Sequence, residues 1–238
     1  MTQQENKVKG VADIVFLIDV TGSMQPCIDA LKNNIGVFVE TMVNDPQSPI
    51  KDWRAKAVGF RDVETDAEYF VDNPFVSKDV AGFKAQLAAL NAEGGGDEPE
   101  SLLDALYKVA TMGQTDKGSQ SADPTKWRYR SSAARVVVVF SDAPFKETMA
   151  IPEAKGGGLA DITNTCQQNR IILSIFAPSY PCYDELAMLD KSEYIPVGDP
   201  ASDRTAGLSE ITKNPESFKK TMIQLAKSVS KSAAAEVI

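Results

Sequence analysis

The feature that most constrains the fold is an apolar run, Ile14 to Ile18, that ends abruptly at Asp19. A run without polar alternation is typical of a strand buried on both faces, and a helical pattern begins within a few residues of its end. Thr21 and Ser23 follow Asp19 at alternate positions, and Gly22 lets the backbone bend tightly between them. One carboxylate and two hydroxyls are hard oxygen donors, which suit a small divalent cation such as Mg²⁺ or Mn²⁺.

The same turn also has a purely structural interpretation. Thr21 or Ser23 would then cap the following helix, and Asp19 would accept hydrogen bonds from nearby backbone amides. A motif of this length occurs by chance, so the turn alone leaves both interpretations open. The choice between them depends on what the rest of the chain brings to the same place.

Strand and helix patterns alternate along the rest of the chain. We predict further strands at 53–60, 68–71, 135–140, 171–176 and 193–197, and helices at 25–43, 77–90, 98–112, 159–169, 182–189 and 215–230. Ser77 is the predicted N-cap of the second helix. Such alternation predicts an α/β fold with a doubly wound, mostly parallel central sheet and helices on both faces. The 68–71 segment is the expected antiparallel edge strand.

The length of 238 residues fits one sizeable domain. We assign residues 11–230 to it, with a polar insertion loop at about 113–134, a flexible leader at 1–10 and a C-terminal tail at 231–238. The apolar content of 43% and the charged content of 24% are ordinary for a globular protein.

Composition excludes several classes of function. The chain has no histidine, so catalysis by Ser-His-Asp or Cys-His systems and imidazole ligation of a metal are excluded, and any metal site must use oxygen donors. The formal net charge of −8 argues against general nucleic-acid binding. Cys27, Cys166 and Cys182 are odd in number and widely spaced, which favours ordinary buried thiols in a reducing compartment.

Location and membrane association are also bounded by composition. No apolar stretch approaches the length of a membrane-spanning helix, and the N-terminal residues lack the apolar core of a signal peptide. We therefore expect a cytoplasmic protein without membrane insertion.

Two further segments are predicted to meet the Asp19 turn. The strand 135–140 ends in Ser141 and Asp142, and a glycine loop ending at Asp97 opens a helix. In a doubly wound sheet, ligands bind beyond the carboxyl ends of the strands, where the strand order reverses. Buried carboxylates brought together there repel one another unless a cation or a proton compensates them, and a divalent cation is the simplest solution.

Taken together, these three segments resemble the metal-ion-dependent adhesion site (MIDAS) of von Willebrand factor type A domains. The residues that carry the resemblance are Asp19-x-Thr21-x-Ser23, the Gly94-Gly-Gly-Asp97 loop and Ser141-Asp142, and the match in order and spacing extends from about Ala12 to about Ser230. The variant looks most like bacterial and intracellular members, including those attached to alpha-type protein kinases. No kinase domain is present in this chain.

The resemblance implies an Mg²⁺ (or Mn²⁺) held by the hydroxyls of Thr21 and Ser23, with Asp19 and Asp142 bonded directly or through water. Many members supply a threonine in the middle loop, where this chain has Asp97. If Asp97 ligates the cation, three carboxylates make the site net negative and a partner's acidic group binds less readily. If Asp97 caps its helix instead, a partner carboxylate can still complete the coordination.

Candidate residues for partner contact lie in two loops. Gly95, Gly96 and Glu98 flank Asp97, and Trp127 and Arg128 belong to the insertion loop. The segment 127–130 could stack on a nucleobase, but we expect its long side chains to pack over an edge of the domain. Acidic residues such as Glu98 and Glu100 are most simply explained by the first turn of a helix.

The leading functional prediction is a non-catalytic module that binds a protein partner in a divalent-cation-dependent manner, the partner donating a carboxylate or another oxygen. One alternative is a metal-dependent phosphoester hydrolase. Another is a scaffold subunit whose metal site is structural or degenerate. By family analogy, the partner belongs to a kinase, phosphatase or ATPase system.

Overall fold

The apolar run at the start of the chain forms the centre of the sheet. In the computed structural model, which describes residues 10–46, 50–96, 98–119, 121–196 and 214–234, strand β1 spans Val11–Asp19. Alternate side chains point to opposite faces of a strand. Phe16 and its neighbours two residues away pack under one helical layer, and Val15 and Leu17 pack under the other. The strand is therefore buried on both faces, as its sequence predicts.

The remaining strands lie on both sides of β1. They are β2 (Asp52–Phe60), β3 (Phe70–Asp72), β4 (Val76–Ser77), β5 (Ala134–Phe140), β6 (Ile171–Ala177) and β7 (Glu193–Pro196). Their order is β3-β2-β1-β5-β6-β7, with β4 also paired to β2. Strands β2, β1, β5, β6 and β7 are mutually parallel, whereas β3 and β4 run antiparallel to β2. The mostly parallel sheet with an antiparallel edge is confirmed, and β4 is a short addition to that edge.

Helices cover both faces of this sheet. They are α1 (Gln25–Asn44), α2 (Val80–Ala89), α3 (Leu102–Thr111), α4 (Leu159–Gln168), α5 (Pro181–Leu186) and α6 (Pro215–Ala234). Helices α1, α2 and α6 share one apolar cluster with the sheet, and α3, α4 and α5 share the other. The doubly wound α/β architecture is therefore confirmed.

Two predicted helix starts are wrong. Ser77 pairs with Arg54 in β4, and α2 begins at Val80, where Asp79 Oδ1 accepts a hydrogen bond from Gly82 N at 2.8 Å. Pairing with the sheet edge keeps Ser77 extended, so the aspartate two residues later takes the capping role.

The other error concerns the acidic segment before α3. This helix begins at Leu102, so Glu98 and Glu100 precede it and do not form its first turn. Pro99 disfavours a helical conformation at Glu98. Glu100 instead forms a parallel bridge with Phe145, in the segment after β5.

The insertion loop packs against the domain in its described part. Trp127 is fully buried, and its Nε1 donates a hydrogen bond to the carbonyl oxygen of Val109 at 3.0 Å. The predicted leader, apart from Gly10, and residues 235–238 of the predicted tail lie outside the described residues. Within the described ranges, every helix is too short or too polar to cross a bilayer. Cys27 and Cys166 are buried free thiols, and the free thiol Cys182 is half-buried.

Candidate functional site

The carboxylate of Asp19 lies at the carboxyl end of β1 and is fully buried. Its Oδ1 accepts hydrogen bonds from the backbone nitrogen of Thr21 at 2.9 Å and from Thr21 Oγ1 at 2.7 Å. Its Oδ2 accepts a hydrogen bond from Ser141 Oγ at 2.9 Å. The predicted turn after β1 and the predicted residues after β5 therefore meet at a single carboxylate. This contact lies between β1 and β5, where the strand order reverses.

A second carboxylate, that of Asp142, completes the centre of this site. Asp142 is 8% exposed, and the hydroxyl of Ser23 lies near enough to its carboxylate to oppose part of the rise in its pKa. Ser23 lies in a short 3₁₀ helix, Gly22–Met24, that joins the end of β1 to α1. The sequence-predicted residues Asp19, Thr21, Ser23 and Asp142 are thus brought together.

The glycine loop lies against the same turn. The backbone nitrogen of Gly22 donates to the carbonyl oxygen of Gly94 at 3.4 Å. Gly95 has a φ of +98°, and a Cβ built on it would lie only 2.5 Å from Thr21 Cγ2. Glycine is therefore required both by the backbone conformation and by the close approach of Thr21. Gly96 is exposed beside this contact, Glu98 is exposed at the far end of the loop, and Asp97 lies outside the described residues.

Burial and mutual repulsion govern the electrostatics of the centre. Burial, followed by the neighbouring charge of Asp142, raises the pKa of Asp19 to about 7. Burial also raises the pKa of Asp142. The thiol of Cys27 is affected in the same way, because burial and the two carboxylates raise its pKa. A cation placed between the carboxylates would relieve a repulsion that the hydroxyl hydrogen bonds offset only in part.

A second group of acidic residues forms the rim. Asp62 Oδ1 accepts hydrogen bonds from Ser101 Oγ at 3.0 Å and from Lys146 Nζ at 2.6 Å. Lys146 also forms an ion pair with Glu64 at 2.6 Å. Asp66 Oδ2 accepts a hydrogen bond from the backbone nitrogen of Gly95 at 3.1 Å. The positive charge of Lys146 is thus paired with Asp62 and Glu64, two acidic residues of the rim.

Sequence reasoning assigned Glu100 to the first turn of a helix, and named it as a possible general base only for the hydrolase alternative; it is 4% exposed. Burial and the charges of Asp19, Asp62, Asp142 and Asp66 raise its pKa to about 8. The Asp-Glu-Pro-Glu run contains one indication that Glu100 does not belong to the first turn of a helix, because Pro99 makes a helical conformation less favourable there.

The donor set of the centre fits a hard divalent cation. Carboxylate and hydroxyl oxygens are the ligands that Mg²⁺ and Mn²⁺ take in proteins. Among the described residues, no three acidic or cysteine side chains surround a common point at a spacing that would hold a metal ion. A cation here would therefore use the hydroxyls of Thr21 and Ser23 and water molecules in addition to Asp19 and Asp142.

Trp127 and Arg128 are not brought to this site. Trp127 is fully buried, so its ring is inaccessible to a partner. The guanidinium of Arg128 forms ion pairs with Asp13 and Asp52, at the start of β1 and of β2. These positions are near the amino ends of the strands, whereas Asp19 is at the carboxyl end of β1. We therefore leave both residues out of the candidate binding surface.

Comparison with known proteins agrees with the fold described above. A family model described as von Willebrand factor A domain matches residues 13–119, which include the β1 turn and the glycine loop. The crystal structure of the SpRpn10 VWA domain has a TM-score of 0.53, with 12% identity over 84% of this chain and 94% of that chain. The family match thus covers the first half of the domain, and the solved structure shows a similar fold.

Another solved structure, a von Willebrand factor type A protein from Catenulispora acidiphila, has a TM-score of 0.49 and 16% identity. The alignment covers 89% of this chain and 43% of that one, so this chain spans less than half of its length. No curated protein sequence matches the chain.

Proposed function

We propose that this protein is a non-catalytic module that binds a protein partner through a divalent cation, Mg²⁺ or Mn²⁺, at the carboxyl ends of β1 and β5. The observation that carries the proposal is the buried pair Asp19 and Asp142, whose oxygens contact hydroxyls but no basic side chain among the described residues. The proposed ligands are Asp19, Thr21, Ser23 and Asp142, and Asp97 is a further candidate.

The family supports an interaction role. The von Willebrand factor A domain is a common protein-interaction module and is often non-enzymatic. A cation with an open coordination position gives such a module a chemical means of capturing a partner oxygen. The proposed contact surface is the glycine loop, with Gly95, Gly96 and Glu98. Beside it is an open depression of about 370 Å³ whose lining includes Glu64, Pro99 and Lys146.

Cation binding is tested by thermal unfolding after removal of metal with a chelator. Mg²⁺ or Mn²⁺ is then titrated into the wild type and into Asp19→Asn. A cation that binds only the folded state stabilises it by about 2.7 kcal/mol at one hundred times its Kd. We expect the Tm of the wild type to rise with cation concentration and that of Asp19→Asn to stay unchanged.

Asp116→Asn is the matched control, because it removes the same charge from an exposed position in the insertion loop. Its Tm should rise with added cation as in the wild type. A wild-type Tm that is insensitive to both cations would contradict the proposal. Partner capture in Mg²⁺ that is lost on chelation and in Asp19→Asn, but kept in Asp116→Asn, tests the interaction itself.

A further inference from the structure

The backbone of Glu100 is fixed to the segment that carries Asp142. Its nitrogen donates to the carbonyl oxygen of Pro144 at 2.9 Å, and its carbonyl oxygen accepts from the nitrogen of Lys146 at 2.9 Å. These two bonds hold the approach to α3 against the segment that follows β5. The position of Glu100 is therefore set by the fold of the site, not by the helix that follows it.

The side chain of Glu100 points toward the β1 turn. A Cβ built on Gly95 would lie 3.3 Å from Glu100 Oε1 and 2.6 Å from Thr21 Cβ. The carboxylate thus lies against the glycine loop beside Thr21, one of the proposed cation ligands. It enters from the α3 side, whereas Asp142 enters from the end of β5.

One oxygen of this carboxylate lacks a partner. Glu100 Oε2 is buried and has no hydrogen bond to any described residue. The nearby positive charge, on Lys146 Nζ, is held by Asp62 and Glu64. A buried carboxylate oxygen without a partner is costly, so its presence at this place points to a ligand that is bound in the functional state.

We propose that Glu100 is a third acidic group of the cation site, and that it directs the site toward partners that offer a neutral oxygen in preference to a carboxylate. This inference rests on the proposed function. Because no three acidic side chains among the described residues converge on one point, Glu100 acts beside the direct ligands, through its charge and its free hydrogen-bond acceptor.

The charge balance gives the reason for this preference. Two carboxylates, Asp19 and Asp142, neutralise one divalent cation. The cation also favours the ionised form of Glu100, and this third carboxylate gives the loaded site a net charge of about −1. Such a site repels a partner's aspartate or glutamate. A backbone carbonyl, amide or hydroxyl oxygen carries no such penalty, and an amide N–H or a hydroxyl group of the partner can also donate a hydrogen bond to Glu100 Oε2.

The test compares the wild type with Glu100→Gln, which keeps the shape of the side chain and removes its charge. Mn²⁺ affinity is measured by calorimetry on metal-free protein, and acetate affinity is then measured on the Mn²⁺-loaded protein from the relaxation of Mn²⁺-bound water. We expect Mn²⁺ to bind Glu100→Gln about tenfold more weakly and acetate to bind it at least tenfold more tightly, a factor that corresponds to about 1.4 kcal/mol.

Glu147→Gln is the control, since Glu147 is an exposed residue on the segment after β5. It should bind Mn²⁺ and acetate as the wild type does. Equal Mn²⁺ and acetate affinities in Glu100→Gln and wild type would overturn the inference while leaving the proposed function intact. Absence of Mn²⁺ binding in the wild type would overturn the proposed function and this inference with it. Unfolding in chelator verifies that each variant is folded.

Discussion

The two ends of β1 each carry a buried aspartate, but their surroundings differ. Asp13, near the start of the strand, is paired with two guanidinium groups, those of Arg54 at 2.6 Å and Arg128 at 2.7 Å. Asp19, at the end of the strand, contacts hydroxyls and a backbone amide and faces the like charge of Asp142. The charge of Asp13 is therefore compensated by cationic side chains of the same chain, whereas no cationic side chain among the described residues compensates Asp19.

Structural and binding carboxylates inside one fold can be distinguished by whether the chain itself compensates their charge. A buried charge that the chain compensates with its own cations holds secondary-structure elements together. A buried pair of like charges without a cation is destabilising, and it persists where something outside the chain binds. The proposed function follows from the second case.

The matched substitutions Asp13→Asn and Asp19→Asn test this difference between the two carboxylates most directly. Asp13→Asn leaves the guanidinium groups of Arg54 and Arg128 buried without their shared carboxylate, so we expect a loss of about 3–5 kcal/mol in the free energy of unfolding. Asp19→Asn removes a repulsion. An amide still accepts the two Thr21 hydrogen bonds, and the hydroxyl of Ser141 can accept from its NH₂.

In chelator at pH 8, Asp19→Asn should therefore raise the free energy of unfolding by about 1–2 kcal/mol, opposite in sign to Asp13→Asn. Urea unfolding of both variants measures the two effects under identical conditions. If both substitutions destabilise the protein to the same extent, the distinction between the two ends of β1 is wrong.

Much of the site end could be predicted from the sequence. A buried strand that ends in an acidic residue is visible as a pattern, and the rule that ligands bind beyond strand ends brings Asp19 and Asp142 together. The glycine loop precedes a predicted helix, which favours the same end of the sheet, and its contact with Gly22 agrees with this expectation. These predictions need only the order of strands and their direction.

The charge-paired end could not be predicted in the same way. Arg54 and Arg128 are far apart in the chain, and nothing local indicates that both turn toward Asp13. The expected packing of the 127–130 segment over the domain is confirmed for Trp127, but its complete burial depends on the same tertiary packing. Glu100 was missed because its position depends on backbone bonds to the segment after β5, which no sequence periodicity reveals.

The uncompensated carboxylates at the Asp19 end should also make the stability of the protein depend on pH. In the folded, metal-free protein the pKa of Asp19 is raised from 3.8 to about 7, and that of Glu100 from 4.5 to about 8. Between the unfolded-state pKa values near 4 and the folded-state values near 7 and 8, the folded state binds more protons than the unfolded state. The stability that these two groups contribute is therefore greatest below about pH 4 and is lost as the pH rises to about 8.

We expect the free energy of unfolding in chelator to fall by about 1 kcal/mol per pH unit across this window. Chemical unfolding at a series of pH values measures the slope. The double variant Asp19→Asn with Glu100→Gln should have a clearly shallower slope over the same range, and the remaining slope includes the contribution of Asp142, whose pKa is also raised by burial. Wild-type stability that rises with pH through the window would show that these carboxylates are compensated within the chain, as Asp13 is.

The smallest expected difference between two matched variants concerns the glycine loop that closes the Asp19 end. Gly95 and Gly118 both have a positive φ, +98° and +82°, but a Cβ at Gly95 would meet Thr21 at 2.5 Å, whereas a Cβ at Gly118 has no atom within 4 Å. Alanine at either position carries the strain of a positive φ, about 1 kcal/mol. Gly95→Ala should lose about 1–2 kcal/mol more, because Thr21 must move.

Displacement of Thr21 also moves a proposed cation ligand. Gly95→Ala should therefore bind Mn²⁺ more weakly than the wild type by about tenfold, and Gly118→Ala should bind it equally well. Urea unfolding and calorimetry on the same samples separate the two contributions. Equal losses of stability with unchanged Mn²⁺ affinity in both variants would mean that the glycine loop only turns the chain. A selective loss of affinity in Gly95→Ala would make the close approach of the loop to Thr21 part of the cation site.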